Sequence, residues 1–263
     1  MALIMRILIL GDIVGHPGRK CVAKVLRDLK NEYNINLCIA NGENAKGGRG
    51  LSVGAYDELI NCGVDVITTG NHVWDNREIH RLFDENKTVL RPANYPPSNP
   101  GNGYILYDMG KYVAAVINLM GRVMLDAVDC PFRKADEILE EIKDKCKITI
   151  VDFHAEATSE KQAMGFYLDG RVSAVFGTHT HVQTADGRIL PKGTGYITDV
   201  GMCGTVNSVI GMNTELAVNK FINKTPIRLE LCEDSECMIN GVIFEVDDAG
   251  KTTGIERIYR YEG

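Results

Sequence analysis

Short apolar runs alternate with amphipathic stretches along the first third of the chain. Three runs have the length and composition of buried strands: residues 4–10 (IMRILIL), 36–40 (NLCIA) and 64–68 (VDVIT). Between them, residues 17–33 place apolar side chains at helical spacing, with Pro17 suited to the first helical turn. Ser52 is a candidate cap for a helix that runs to about Cys62 and ends at Gly63. The pattern predicts a largely parallel α/β sheet whose two faces are covered by helices.

The pattern is interrupted after a helix predicted at 76–85 and then resumes. Residues 91–103 are rich in Pro and Asn and predict a surface loop, and residues 104–119 predict a hairpin that turns at Met109–Lys111. The remaining predicted elements are helix 131–146, strand 147–153, helix 158–168, strand 172–176 and β-type runs from 227 with a turn at 247–250. With no linker and no repeat, we expect one continuous domain over residues 1–263.

The apolar run at the N-terminus is short, contains Arg6 and continues directly into Gly11-Asp12. It is too short to span a bilayer and lacks a small-residue cleavage signature, so it predicts a first strand rather than a leader or anchor. We therefore expect a soluble cytoplasmic protein without membrane association. The eight cysteines form no C-x-x-C pair, which leaves a zinc ribbon unsupported and favours reduced thiols.

The formal net charge is −6, and the sequence contains no block of Lys and Arg. Binding along a nucleic-acid backbone depends on clustered positive charge, so stable nucleic-acid binding is disfavoured. A small anionic substrate remains compatible with this charge, because bound metal ions can supply positive charge locally.

Metal-capable side chains follow five of the predicted strands, at the point where each strand ends. The residues are Asp12, Glu43, Asn44, Asn71, His72, His154, His179 and His181. In open α/β sheets the carboxyl ends of the strands form the ligand site, so these side chains are expected to meet at one edge. Carboxylate and imidazole together suit Mn, Fe, Zn or related divalent ions. Two such ions about 3.5–4 Å apart can clamp the attacking and leaving oxygens of a phosphoryl displacement.

In this order, the motifs resemble those of the calcineurin-like metallophosphoesterases, and most strongly the bacterial YmdB-like branch of that superfamily. The segments that carry the resemblance are GDIVGHPGR (11–19), ANGENAKGG (40–48), TTGNHVWD (68–75), DFHAEATSEK (152–161) and GTHTHVQTAD (177–186). The resemblance implies a four-layer α/β/β/α sandwich, a dinuclear centre and phosphodiesterase activity on small phosphodiesters, in particular 2′,3′-cyclic nucleotides. It also implies a homo-oligomer and a metal pair of Fe or Mn, with Zn as an alternative.

The sequence departs from the broader superfamily at two positions. Val14 stands where an opening Asp-x-His motif has its histidine, and Glu43 stands where a bridging aspartate is usual. The YmdB-like branch shares this pattern, so the resemblance implies a variant site rather than a broken one.

The resemblance also implies how the side chains divide between the two ions. One ion takes Asp12, Glu43, Asn44 and His181, and the other takes Glu43, Asn71, His154 and His179. A hydroxide held by the metals would attack phosphorus. His72 is then free to orient the phosphate or to protonate the leaving oxygen, which makes His72 and Glu43 the implied catalytic residues.

Other candidate residues are weaker. His16 is expected to be a solvated loop residue, His80 a structural or exposed helix residue, and Lys161 a surface lysine. Residues 46–50 form a Gly-rich loop that lacks the G-K-S/T ending of a P-loop. Two other functions remain open at this point: a phosphomonoesterase such as a nucleotidase, and a non-catalytic regulatory protein on the same fold. A regulatory domain of that kind would be expected to have lost ligands, whereas this sequence keeps the full set.

Overall fold

The chain folds into a mixed α/β structure built around two β-sheets. A computed structural model describes residues 4–85, 87–234 and 236–262. The strands are β1 (Met5–Leu10), β2 (Asp12–Ile13), β3 (Leu37–Asn41), β4 (Val66–Thr68), β5 (Tyr104–Asp108), β6 (Val113–Met120), β7 (Ile148–His154), β8 (Ala174–Thr178), β9 (Arg188–Ile189), β10 (Gly195–Ile197), β11 (Met202–Thr205), β12 (Cys237–Val246) and β13 (Thr252–Glu262). The helices are α1 (Gly15–Glu32), α2 (Val53–Cys62), α3 (Ile79–Asp84), α4 (Pro131–Glu141), α5 (Thr158–Leu168) and α6 (Thr214–Asn223).

The first sheet has the order β2-β11-β12-β1-β3-β4, with β13 paired to β12. Strands β1, β3 and β4 are parallel, as the alternating pattern predicts. Strand β12 runs antiparallel to β1, with Met5 opposite Val246 and Leu10 opposite Gly241. The expectation of a largely parallel sheet is therefore wrong for this half of the sheet. Strands β12 and β13 form a hairpin without a crossover helix, and they join the sheet in antiparallel pairing.

The second sheet has the order β5-β6-β7-β8-β10-β9. Strands β6, β7, β8 and β10 are parallel, and the antiparallel strands β5 and β9 lie at the two edges. The β5–β6 pair is the hairpin predicted around Met109–Lys111.

Buried apolar side chains form three separate clusters, which relate the helices to the sheets. One combines side chains of α1 and α2 with one face of the first sheet, as in Leu26 and Leu8. A second contains residues of both sheets, such as Ile9 and Ile150. The third combines the second sheet with α4 and α5. Strands that are buried on both faces explain why the sequence shows continuous apolar runs rather than strict alternation.

Local signals located the regular elements well where they were strong. Ser52 caps α2 by accepting from the Ala55 amide at 3.2 Å, and Gly63 ends that helix with φ 115°. Helix α4 ends at Glu141, five residues before the predicted end, with φ 63° at Asp144 shortly beyond. The short strands β2, β9, β10 and β11 were not predicted, because two to four residues carry too little periodicity. The ten-residue helix α6 was also not predicted.

The expectation of eight reduced cysteines is wrong in this structure. Cys21 on α1 and Cys237 at the start of β12 form a disulfide, and their Cα atoms are 6.2 Å apart. The two residues are 216 positions apart in sequence, so no local spacing signal announces the bond. The other six cysteines are free.

Among the described residues, no helix combines the length and apolar character that crossing a bilayer requires.

The disulfide gives a direct count. The protein is first treated with acid to stop thiol–disulfide exchange and is then unfolded without reductant. It should titrate with six thiols under these conditions and with eight after reduction. The Cys21→Ala, Cys237→Ala double variant should titrate with six thiols under both conditions. It should also lose about 2–4 kcal/mol of stability, because a bond that closes so long a loop restricts the unfolded chain. A count of eight without reductant would show that the bond is absent in solution.

Candidate metal centre

The eight polar residues singled out in the sequence come from the carboxyl ends of five strands in two different sheets. Asp12 lies just after β1, Glu43 and Asn44 after β3, and Asn71 and His72 after β4, all in the first sheet. The second sheet contributes His154 at the end of β7 and then His179 and His181 after β8. The site therefore lies where the ends of the two sheets meet, rather than at the edge of one sheet.

His154 is the centre of one group of donor atoms. Its Nε2 lies 2.9 Å from Asn71 Oδ1, 3.1 Å from Glu43 Oε1 and 3.0 Å from His179 Nδ1. Ligand atoms of Glu43, His154 and His179 all lie within 4.8 Å of one another, a spacing that can hold a metal ion. Four donor atoms of three chemical kinds thus converge on one point.

Asn44 is the centre of the second group. Its amide nitrogen lies 3.4 Å from Asp12 Oδ1 and 3.1 Å from His181 Nε2. The same nitrogen lies 3.3 Å from Glu43 Oε1, the oxygen that also faces His154. Glu43 therefore contacts both groups through one carboxylate oxygen.

The two groups are buried and strongly coupled electrostatically. Asp12, Glu43 and His154 are at most 1% exposed. Burial raises the pKa of Asp12, and burial also acts to raise the pKa of Glu43, but the adjacent His154 and His72 outweigh it and lower that pKa to about 2. Burial acts to lower the pKa of His154, yet Glu43 and Asp12 raise it to about 9. Without a metal, a proton on His154 supplies the positive charge that the buried carboxylates require.

His179 is in a different state from its neighbour. Burial and the adjacent His154 lower its pKa to about 3, which keeps the imidazole neutral, the form that binds a metal. Its Nε2 lies 3.0 Å from Glu156 Oε2, so the carboxylate fixes the ring with Nδ1 toward the cluster. His181 is fixed in the same way through Nδ1, which lies 3.0 Å from the Ile210 carbonyl.

At two positions of the site, neighbouring atoms lie so close to the backbone that a side chain would not fit. A Cβ at position 70 would lie 2.2 Å from the His154 ring, and a Cβ at 177 would lie 1.9 Å from the Thr198 carbonyl oxygen. Only glycine fits at these two positions. His179 and His181 both have positive φ, at 107° and 63°. Strained backbone of this kind persists only where the surroundings determine it, and it is concentrated at functional sites.

A buried polar chain behind His154 was not foreseen from the sequence. His154 Nδ1 lies 2.9 Å from Thr178 Oγ1, which donates to Asp152 Oδ1 at 2.8 Å. Thr68 also donates to Asp152. Burial raises the pKa of Asp152 to about 7, although Thr68 and Thr178 hydrogen bonds act against it. The sequence could have indicated Asp152, because side chains two positions apart in a strand point to the same face, and Asp152 precedes His154 by two positions in β7.

Lys161 is a second support, and the expectation of a surface lysine is wrong. The side chain is 1% exposed, and Nζ lies 2.6 Å from Asp199 Oδ2 and 2.8 Å from the Thr178 carbonyl. Asp199 in turn accepts from the Thr180 amide at 3.1 Å. The pair therefore holds the loop between the two histidines from both sides. Asp199 follows the unpredicted strand β10, which is why it was missed.

The other histidines lie where the sequence placed them or close to it. The ring of His72 lies outside the donor cluster, with Nδ1 2.9 Å from Asp75 Oδ2, while its backbone amide donates to Glu43 Oε2 at 3.1 Å. His80 is exposed on α3 against Trp74, and His16 is exposed. His16 lies within α1 rather than in a loop, so that part of the prediction is wrong.

The donor set fits divalent metal ions. Carboxylate, amide oxygen and imidazole are ligands of Mn, Fe and Zn, and here they converge in two adjoining groups, each with one carboxylate beside imidazole and amide donors. The amide of Asn44 presents nitrogen to two carboxylate oxygens in the metal-free arrangement. Rotation of that amide would present its oxygen to an ion instead.

Donors of this kind at the strand ends of a two-sheet α/β fold suit a metal-dependent hydrolysis of phosphate esters. A Staphylococcus aureus protein assigned as a 5′-nucleotidase shares the fold: it is 15% identical with a TM-score of 0.61, covering 97% of this chain and 54% of its own.

The family is more specific than the class. The model of the YmdB-like protein family matches residues 8–258, and the chain belongs to this family. The 2′,3′-cyclic-nucleotide 2′-phosphodiesterase of Bacillus subtilis (strain 168) is 48% identical over 255 residues, 97% of this chain and 96% of that protein. A crystal structure described as a novel phosphatase from Mycoplasma pneumoniae is 38% identical with a TM-score of 0.94, covering 100% of this chain and 95% of its own.

The Lys161–Asp199 pair can be tested by removing one charge. Lys161→Met should lose about 3–5 kcal/mol of stability, because it leaves Asp199 buried without its cation. Lys161→Met, Asp199→Leu should recover part of that loss, whereas Lys143→Met, at an exposed lysine, should change little. Urea denaturation of the four proteins measures the effect. Equal stability of Lys161→Met and the wild type would contradict a supporting role for the pair.

Proposed function

We propose that this chain is a two-metal phosphodiesterase that hydrolyses small phosphodiesters, in particular 2′,3′-cyclic nucleotides. The observation that carries the proposal is the position of Glu43. Its Oε1 lies 3.1 Å from His154 Nε2 and 3.3 Å from Asn44 Nδ2, between two groups of donor atoms. A single carboxylate between two ligand sets is what a bridged metal pair requires.

In this proposal the two groups are the two metal sites. One ion is held by Asp12, Glu43, Asn44 and His181, and the other by Glu43, Asn71, His154 and His179. Fe or Mn suits this mixture of oxygen and nitrogen ligands, and Zn is the alternative. When bound, the ion pair supplies Lewis acidity for the phosphate oxygens and activates water as the nucleophile.

The residues of the chain then have separate tasks. Each of the three histidines is oriented by one contact: His179 by Glu156, His154 by Thr178 and His181 by the Ile210 carbonyl. The rings therefore lose less conformational freedom when the site binds its ions. His72 projects from the same loop as Asn71 but stands outside the cluster, with Asp75 holding Nδ1. Its Nε2 is then available to donate a proton to the leaving ribose oxygen as the P–O bond breaks.

The substrate class rests on the family. The Bacillus relative, which carries the name of a 2′,3′-cyclic-nucleotide 2′-phosphodiesterase, matches nearly the whole chain at 48% identity. The proposal also includes the architecture and the oligomeric state. The chain forms a single domain over residues 1–263 with a four-layer α/β/β/α sandwich, which the three apolar clusters support. It assembles into a homo-oligomer.

The function is tested with metal-stripped protein to which Mn, Fe(II), Zn and Mg are added separately. We expect hydrolysis of 2′,3′-cyclic AMP and of bis(p-nitrophenyl) phosphate with a transition metal, two ions bound per chain, and little release of phosphate from the AMP isomers. Glu43→Gln should keep the fold but weaken the pair and abolish most turnover. Preference for AMP would make the chain a phosphomonoesterase, and full activity without metal would overturn the proposal.

His72→Ala separates the proton donor from the ligands. A positioned acid contributes about 10²–10⁴-fold in rate, so the variant should lose that factor on 2′,3′-cyclic AMP and still bind two ions. The loss on bis(p-nitrophenyl) phosphate should be smaller, because nitrophenolate leaves without a proton. His80→Ala, at an exposed histidine on α3, is the matched control and should resemble the wild type. Equal losses on both substrates would leave His72 as a phosphate-orienting residue only.

A further inference from the structure

A cavity of about 770 Å³ is lined by His181. Its walls are the loop 181–183, the turn 208–210 and the adjoining strands β12 and β13. None of the proposed ligands except His181 lines it. The proposed reaction at the metal centre therefore leaves this space without a role.

Asn240 on β12 lines the cavity and is 3% exposed. Its Oδ1 is a buried side-chain oxygen without a hydrogen-bond partner, one of two such buried atoms in the part of the chain that the structure describes. Its Nδ2 donates to the Met238 sulfur, at 3.4 Å, and a thioether is a weak acceptor. An unpaired buried amide oxygen is costly to keep, so a donor group that reached it would be favoured.

The rest of the cavity has the shape and polarity for a flat aromatic ring. Met202 and Met238 provide polarisable apolar surface, and Tyr259, directly opposite Asn240 in the β12–β13 ladder, provides an exposed aromatic face. Stacking on an aromatic side chain is a common way for proteins to bind a base.

We propose that this cavity binds the nucleobase of the substrate and that the Asn240 amide reads its edge. Oδ1 would accept from an exocyclic amino group while Nδ2 donates to the adjacent ring nitrogen, the pairing that asparagine makes with adenine. Cytosine offers the same pair of groups. The inference rests on the proposed function, since it places the base of a cyclic nucleotide whose phosphate lies at the metal centre.

The test compares three substrates with the Mn²⁺-loaded protein. They are 2′,3′-cyclic AMP, its purine riboside analogue that lacks the 6-amino group, and bis(p-nitrophenyl) phosphate, which has no base. For the wild type, KM for the analogue should exceed KM for cyclic AMP by roughly five- to tenfold, the effect of one hydrogen bond. Asn240→Leu should remove that difference and leave kcat/KM on the nitrophenyl ester unchanged. Asn240→Asp, which keeps an acceptor oxygen, should retain part of the difference.

Tyr259→Ala distinguishes the base from another occupant, a second copy of this chain. We expect it to raise KM for cyclic AMP and its analogue alike, without a change in molecular mass by light scattering. Equal KM values for cyclic AMP and the analogue in the wild type would overturn the inference, and so would a Tyr259→Ala protein that dissociates while its KM stays constant. Hydrolysis of none of the three substrates would instead overturn the proposed function.

Discussion

The structure depends on placing two buried carboxylates of one sheet against three imidazoles of the other. Asp12 and Glu43 come from the first sheet, and His154, His179 and His181 come from the second. At this burial neither set is stable alone, since the carboxylates need positive charge and the histidines need acceptors. Hydrogen-bond contacts between these residues therefore fix the relative position of the two sheets at the end where the site lies. Apolar contacts between the sheets maintain the same alignment over the rest of their length.

The supporting residues show how this alignment is maintained. Thr178, Lys161 and Asp199 are buried, and each contacts either a proposed ligand or the backbone beside one. Asp152, also buried, acts one step further away by accepting from Thr178. Burying these charged groups carries a desolvation cost that apolar residues of similar volume do not have, so stability alone does not explain their presence. These polar contacts instead hold His179 and His181 in backbone conformations that a free loop would leave.

The sequence singled out these donor residues because each follows a strongly apolar strand. The structure brings all seven proposed ligands into two adjoining groups, with His72 beside them. What could not be predicted depends on contacts between distant segments: the Cys21–Cys237 bond, the Lys161–Asp199 pair, and the antiparallel entry of β12. None of these has a local period or motif, and a lysine in an amphipathic helix gives no sign of which partner the fold supplies.

The position of β12 has a consequence for how the chain acquires its structure. Residues 237–246 lie in the interior of the first sheet, paired along one edge to β11 and then β1 and along the other edge to β13. During synthesis, β1 must wait for a partner that lies far along the chain, with one edge open while the intervening residues are made. Contacts this distant in sequence slow folding and expose apolar edges to association. The first sheet is thus expected to close late in folding, and the nascent chain before β12 emerges is where assistance by chaperones would matter most.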